Sequence, residues 1–226
     1  NASGRSPYAI NRKVFADKGL DQIPINGPLP WSVPGCVDGW WALHRRFGSM
    51  PLADLVAPAI LLADHGFAAS PLLAAVAGDV RDVHGAQDFA GLTSAGTVVR
   101  RPGVARVLRA FAEGGRAAVY LGDFGEQLLS AGTGEFTDED LATPNADWVD
   151  PLGVRVWGHD VWTVPPNSQG YLSLAAALIV DGLDLPQEDN PLRAHLMVEA
   201  ARQAGHDRPA VLHEHADDEA LVHPTR

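Results

Sequence analysis

The stretch Val33-Pro34-Gly35-Cys36-Val37-Asp38-Gly39-Trp40-Trp41-Ala42-Leu43-His44 marks where this chain stops being irregular and becomes helical. Past Pro34-Gly35, the residues Val37, Trp40, Trp41, His44 and Phe47 fall at i, i+3, i+4, i+7 and i+10, one face of a helix that Gly48 would cap. Upstream, Pro7, Pro24, Pro28, Pro30 and Pro34 are spaced too closely for any helix, and Gly19, Gly27 and Gly35 punctuate them. A long stretch without regular structure in a compact chain is functional or a linker. Its hydrophobes Ile10, Val14, Phe15, Ile23, Ile25, Leu29 and Trp31 predict that it packs down rather than floats.

Downstream the punctuation predicts a run of helices. Ser49 and Pro51 restart the chain, and Pro58 is expected to split the segment up to Gly66 into a short and a longer helix. Ser70-Pro71, a capping residue before a first-turn proline, opens a helix over 72–83. Residues 85–100, rich in Gly, Ser and Thr, read as loop. Val104, Val107, Leu108 and Phe111 repeat the helical spacing up to Gly114-Gly115, and another helix is expected over 117–130. Thr137-Asp138-Glu139-Asp140 reads as a cap followed by first-turn acids that complement the helix dipole. The one clear β signal is Val154-Arg155-Val156-Trp157, a turn at Gly158-His159-Asp160, then Val161-Trp162-Thr163-Val164, which predicts a hairpin. Ser168 or Asn167 should cap an apolar helix to Val180, and Asn190-Pro191 should begin the last helix, ended by Gly205. The chain thus reads as mainly helical with one hairpin, without an internal repeat or a domain boundary.

Composition bounds the function. Among 226 residues, 46% are hydrophobic and 20% charged, which supplies a globular core and excludes collagen-like, disordered and disulfide-stapled classes. The net charge of −11 repels phosphate backbones, so nucleic acid is not an expected partner. The densest basic cluster, Arg100-Arg101 with Arg106 and Arg109, reads as a solvated helix face. No apolar run is long enough for a membrane span, and Asn1-Ala2-Ser3-Gly4-Arg5 has no signal-peptide core. The single cysteine, Cys36, excludes an intramolecular disulfide and a multi-cysteine zinc site, and fits a cytoplasmic location, with a periplasmic or secreted one as the alternative if a signal peptide was removed.

Few residues offer chemistry. His213-Glu214-His215 could share a metal only with help from His206 or His223, and reads instead as an acidic solvated tail; no metal site is expected. His44 and His195 read as ordinary helix histidines. No G-x-S-x-G is present, so Ser168 is a cap rather than a nucleophile, and neither phosphate-loop pattern occurs. Cys36 lies at a helix start that would lower a thiolate pKa, but no motif names a base for it. Arg5 stands on a turn-like backbone between Ser3-Gly4 and Ser6-Pro7, where its planar fork could meet a carboxylate or simply lie on the surface.

Taken together the motifs resemble a family. Val33 to His44 is similar to the V-P-G-x-V-x-G-x-x-x-x-H stretch of the gamma-glutamyltranspeptidases. Phe47-Gly48, Leu55 to Ala63 and His65-Gly66-Phe67 continue the likeness. Tyr120-Leu121-Gly122-Asp123 resembles the family's Y-x-G element, and Thr137 to Leu141 its T-x-x-D-L. Val164 to Gly170 resembles P-P-x-S-x-G, and His195 to Ala201 the H-x-x-x-E-A helix, all in family order.

The resemblance implies an N-terminal-nucleophile hydrolase of the α+β class, a four-layer αββα sandwich whose sheets are shared between two subunits cut from one precursor. Residues 1–226 would be the large-subunit segment of one such domain, completed by a separate small subunit in an αβ heterodimer or a dimer of heterodimers. The hydrophobic residues would then also cover an intersubunit interface. The nucleophile implied is the N-terminal Thr of the small subunit, with its α-amine as general base. No catalytic residue is therefore assigned to this chain, and Thr225, at its end, lacks the family's junction context. What carries over is Arg5, implied to bind the α-carboxylate of the γ-glutamyl donor, although the family's acidic residue after that arginine is replaced by Ser6. The implied activity is transfer or hydrolysis of γ-glutamyl groups from glutathione-type amides, without a cofactor. The cephalosporin acylases, which take glutaryl-type groups on the same fold, are the alternative, as is a non-catalytic binding homologue.

Overall fold

The structure, a computed structural model, describes residues 1–80, 83, 85–132, 134–213 and 215–223. Its contacts form two compact units, Ala2–Ala146 and Asp147–Arg226, the second including Asn1. Neither Gly nor Ser marks the change from one to the other, which is why no boundary shows in the sequence.

The first unit begins with a helix that the prolines do not forbid. Between Pro7 and Pro24 there is room for α1 (Arg12–Asp17), where the Asn11 side chain accepts from the N–H groups of Lys13 and Val14. The flanking segment packs down only in part: Pro7 and Val33 are buried, whereas Ile25 is 94% exposed. Helix α2 (Cys36–Phe47) starts and ends as the sequence predicts, its C-terminus closed by the Gly48 N–H on the His44 carbonyl. Pro58 does not split the next helix, because α3 (Leu52–His65) runs through it. A proline in a helix interior costs about 3 kcal/mol in isolation, and the packing of α3 along α5 offsets that loss.

After α3, strand β1 (Phe67–Ala68) pairs antiparallel with β2 (Val98–Val99). Between them lies α4 (Pro71–Val76), capped by Ser70 as expected but giving way at Ala77–Val80 to a tighter 3-10 turn, so it is shorter than the spacing predicted. Ala69, Ala77, Leu92 and Val99 form a small apolar cluster there. Helix α5 (Pro102–Tyr120) bends at Gly115, whose φ of 61° is non-helical. The expected stop at Gly114-Gly115 is a kink, and the true break precedes α6 (Asp123–Ala131). Ala105, Leu108, Phe111 and Val119 on α5 are the buried centre of the unit, with Trp40 and Trp41 of α2 packed around Phe111 at 6.0 and 6.4 Å. The short α7 (Asp138–Ala142) closes the unit, capped as expected by Thr137, and Asp140 completes a capping box by accepting the Thr137 N–H.

The apolar stripe of α2 is not a closed core. The one buried residue of that helix is Asp38, while Phe47 is 67% exposed. Trp40, Leu43 and Phe47 line an open apolar groove with Leu52, Leu55 and Phe111.

In the second unit, β3 (Leu152–Val156) and β4 (His159–Thr163) form the predicted hairpin, in register Val156 to His159. The turn falls at Trp157-Gly158, not at Gly158-His159-Asp160. Both turn residues have positive φ, 50° and 77°, the twist a two-residue hairpin prefers. Helix α8 (Tyr171–Asp181) packs on β3 and on α9 (Pro191–Ala204). Its N-cap is Gly170, not Ser168 or Asn167; the Ser168 hydroxyl accepts the Gly170 N–H, one step before the helix starts. Nor is α9 the last helix, since α10 (Arg208–Val211) and α11 (Asp218–Leu221) come after it. Leu152, Tyr171, Leu174 and Leu221 form the core of this unit. Among the described residues no helix is long and apolar enough to cross a membrane.

Candidate functional site

Arg5 is mounted on backbone. Its carbonyl accepts the Val33 N–H at 2.8 Å in an isolated antiparallel bridge, which ties the Ser3-Gly4-Arg5 turn to the start of the Val33 to His44 stretch. Two glycines allow this approach. A Cβ on Gly4 would lie 2.7 Å from the Val33 carbonyl oxygen, and one on Gly35 would lie 2.1 Å from that of Ala2.

The Arg5 guanidinium is then aimed by α7. Nη1 donates to Asp140 Oδ1 at 2.7 Å, and Nη2 donates to the Asp140 main-chain carbonyl at 2.9 Å. The Tyr8 ring stacks on the guanidinium at 4.2 Å. Asp140 is fully buried, whereas the Arg5 side chain keeps 19% of its surface, enough to present an edge outward. Asp140 engages one N–H of each terminal nitrogen and Nη1 also reaches the Ser6 carbonyl at 3.4 Å, which leaves the second Nη2 N–H as the guanidinium donor for a carboxylate. Nε is buried with no hydrogen-bond partner among the described residues.

Asp140 is itself saturated. Oδ1 also accepts the Tyr8 N–H at 3.0 Å, and Oδ2 accepts the Thr137 N–H and hydroxyl, both at 2.9 Å. Burial pushes its carboxyl up, but the hydrogen bonds from Arg5, Tyr8 and Thr137 outweigh that and hold it below the ordinary value.

Behind this pair sits a second one. Asp38 accepts from Arg116 Nε and, through Oδ2, from the Asn145 N–H at 3.1 Å and Asn145 Nδ2 at 3.3 Å. Arg116 Nη2 donates to the carbonyls of Leu141 at 2.8 Å and Thr143 at 2.9 Å, at the end of the helix that carries Asp140. Tyr120 donates its hydroxyl to the Pro34 carbonyl at 2.5 Å, and the Arg116 guanidinium lies 4.6 Å from its ring. Burial, then the nearby Asp38 charge, pushes the Tyr120 phenol up from 10.0 to about 12. With a folded-state pKa raised above the unfolded one, this group's contribution to stability is complete below pH 10 and is lost as pH rises toward 12. Tyr120→Phe is therefore expected to cost about 1 kcal/mol at neutral pH and to flatten the decline between pH 10 and 12. Urea unfolding at both ends of that window checks it, and an equally steep decline in the variant would contradict it.

The other sequence candidates are not drawn into this cluster. Cys36 is exposed at the first turn of α2. His44 Nε2 lies 2.8 Å from the Met50 carbonyl oxygen, and His195 is exposed on α9. His213 Nδ1 accepts the His215 N–H at 3.2 Å, while Glu214 and Thr225 lie outside the described residues. Among the described residues no group of three or more His, Cys, Asp or Glu side chains could hold a metal ion. The basic cluster is partly neutralised, with Arg101 on Asp88 and Arg109 on Asp64. Sequence reasoning read Asp140 as a first-turn acid and missed its grip on Arg5; it missed Asp38 and Arg116 altogether. A charged residue in the middle of a helix start, Asp38 between Val37 and Gly39, was the available signal.

Comparison with known proteins agrees with the motif order. A family model for gamma-glutamyltranspeptidase matches residues 1–224. The glutathione hydrolase-like YwrD proenzyme of Bacillus subtilis is 32% identical over 232 residues, across 94% of this chain and 43% of that protein. The glutathione hydrolase proenzyme of Pseudomonas aeruginosa is 29% identical over 183 residues, across 76% of this chain and 33% of that protein. This chain thus spans less than half the length of these curated relatives. The crystal structure of a cephalosporin acylase from Bacillus halodurans superposes with a TM-score of 0.90 at 31% identity, covering 100% of this chain and 46% of that one. Helicobacter pylori gamma-glutamyltranspeptidase superposes with a TM-score of 0.87 at 23% identity, covering 98% and 70%, a likeness of fold. The mainly helical chain with its hairpin fits a portion of that fold. With the match running from residue 1 to residue 224, this chain belongs to the gamma-glutamyltranspeptidase family and, through it, to the N-terminal-nucleophile hydrolases.

Proposed function

We propose that residues 1–226 are the large-subunit segment of one gamma-glutamyltranspeptidase-like domain, completed by a small subunit from the same precursor, and that the enzyme transfers or hydrolyses γ-glutamyl groups. The observation that carries this reading is Arg5, a guanidinium held at both end nitrogens with part of its surface left for a donor carboxylate. The open apolar groove between α2, α3 and α5 supports it, because an apolar face of that kind is covered in a finished fold.

The nucleophile is the N-terminal Thr hydroxyl of the small subunit. Its α-amine takes the hydroxyl proton as the oxygen bonds to the γ-carbonyl carbon, and it returns the proton to the leaving amine as the C–N bond breaks. Water or an acceptor amine then cleaves the acyl ester and restores the hydroxyl. Arg5 fixes the donor's α-carboxylate, so that the γ-carbonyl arrives at a set distance.

A second reading is an acylase for glutaryl and related side chains. The likeness to the Bacillus halodurans cephalosporin acylase favours it, together with Ser6 where the family has an acidic residue. Sequencing the N-terminus of the chain that co-purifies, and comparing hydrolysis of γ-glutamyl and glutaryl amides, separates the readings. A leading Thr with faster γ-glutamyl turnover is the expected result. Faster glutaryl turnover establishes the acylase, and a partner lacking N-terminal Thr, Ser or Cys makes this a non-catalytic homologue.

A further inference from the structure

We infer that Asp140 is the positioning residue for donor recognition: from a fully buried site on α7 it holds both end nitrogens of Arg5, and so sets the orientation in which the guanidinium meets the donor carboxylate. The inference rests on the proposed role of Arg5.

Three features set Asp140 apart from an ordinary capping residue. A capping box needs one carboxylate oxygen, and Oδ2 fills that role with the Thr137 N–H. Oδ1 is turned the other way and joins Arg5 to the Tyr8 N–H, so one carboxylate fixes a side chain and the backbone three residues beyond it. The main-chain carbonyl of Asp140 takes the second Arg5 nitrogen, which makes the contact two-pointed and resists rotation of the guanidinium. An exposed arginine chain has several rotatable bonds and considerable conformational entropy to lose on binding a ligand. Held in this way, much of that entropy is already lost before the donor arrives. Asp140 also directs binding, because with the end edge occupied and Nε buried the donor carboxylate is left the second N–H of Nη2. The Tyr8 ring covers one face of the guanidinium, which further limits how it can turn.

Asp140 touches no donor atom in this scheme, so its effect has to pass through Arg5. A double-mutant cycle on the complete enzyme tests it, with γ-glutamyl-p-nitroanilide as donor and the variants Asp140→Asn, Arg5→Gln and their combination. Asp140→Asn places an amide N–H₂ among the donors now shared by its carboxylate, and should raise the donor KM ~10- to 100-fold with kcat within about threefold. The combined variant should be no worse than Arg5→Gln alone within about threefold, an outcome that a merely structural role does not produce. The inference is overturned if Asp140→Asn folds and leaves KM unchanged, or if the combined variant loses the product of the two single effects. If Arg5→Gln itself leaves KM unchanged, the reading of Arg5 falls and the inference falls with it; that result is distinct from failure of Asp140→Asn alone. Should Asp140→Asn not accumulate as folded protein, Thr137→Ala, which frees Asp140 Oδ2 from its hydroxyl contact, should raise the donor KM ~3-fold. An unchanged KM in that variant also overturns the inference.

Discussion

Arg5→Gln in the complete enzyme should lower kcat/KM for γ-glutamyl donors ~10²- to 10³-fold, nearly all of it in KM. A partly desolvated, charge-assisted contact between a guanidinium and a carboxylate is worth about 3–4 kcal/mol, and each 1.36 kcal/mol is about a factor of ten. The loss falls on KM because the α-carboxylate does not change during the reaction, so Arg5 binds ground state and transition state alike. Glutamine ends two bonds short of the nitrogens that meet Asp140 and carries neither charge nor fork. Asp140 is then left fully buried with Tyr8 and Thr137 as its hydrogen-bond donors, and its carboxyl rises because the Arg5 hydrogen bond that helped to lower it is gone. A depressed native pKa contributes stability above the ordinary value of 3.8 that is lost as pH falls through the native one. The variant should therefore give up part of that contribution at neutral pH, and comparing unfolding midpoints keeps this apart from lost binding. Arg5→Lys, which keeps the charge but not the fork, should fall between, at ~10-fold. A folded Arg5→Gln enzyme with kcat/KM within threefold of the parent would falsify donor recognition by Arg5.

The sequence made much of this site readable, though not what holds it. Arg5 is visible because Ser3-Gly4 and Ser6-Pro7 bracket it with turn chemistry, and because its motif resembles one known to bind carboxylates. The Thr137 cap with its first-turn acids is visible in the local sequence, since caps are local. That Asp140 grips Arg5 is not visible, because the two lie 135 positions apart and no local pattern encodes so distant a contact. The helices legible from punctuation are those whose ends are fixed locally, such as α2 with Gly48 and α4 with Ser70. The errors fall where packing outweighs a local preference. Pro58 predicts a break, yet α3 stays whole against α5; Ser168 predicts a cap, yet Gly170 takes that place. The apolar stripe of α2 misled in another way. Its period was right, but in this chain the face it defines opens onto a groove, while Asp38 on the opposite side is buried.

That buried aspartate gives the largest stability effect expected. Asp38→Ala should destabilise the fold by about 3–5 kcal/mol, the cost of stranding one member of a buried ion pair. Two losses combine. Arg116, whose side chain is 12% exposed, keeps the Leu141 and Thr143 carbonyls but loses its carboxylate. The Asn145 N–H, which donates to Asp38 Oδ2 inside the core, is left without that acceptor. Asp38→Asn keeps one acceptor oxygen but turns an N–H₂ group toward one of these donors, and should lose about 2 kcal/mol. Asp38→Leu combined with Arg116→Met removes both charges and fills the space with apolar chains. It should recover part of the loss, as buried pairs replaced together often do. Recovery stays incomplete because the Leu141 and Thr143 carbonyls and the Asn145 N–H still need partners. Urea unfolding followed by the fluorescence of Trp40 and Trp41, which pack on Phe111 in the same unit, reads the order of the three variants. A loss below about 1 kcal/mol for Asp38→Ala would mean that water or a rearranged Arg116 satisfies the site. The Arg116 clamp on the end of α7 would then not be what holds Asp140, and through it Arg5, in place.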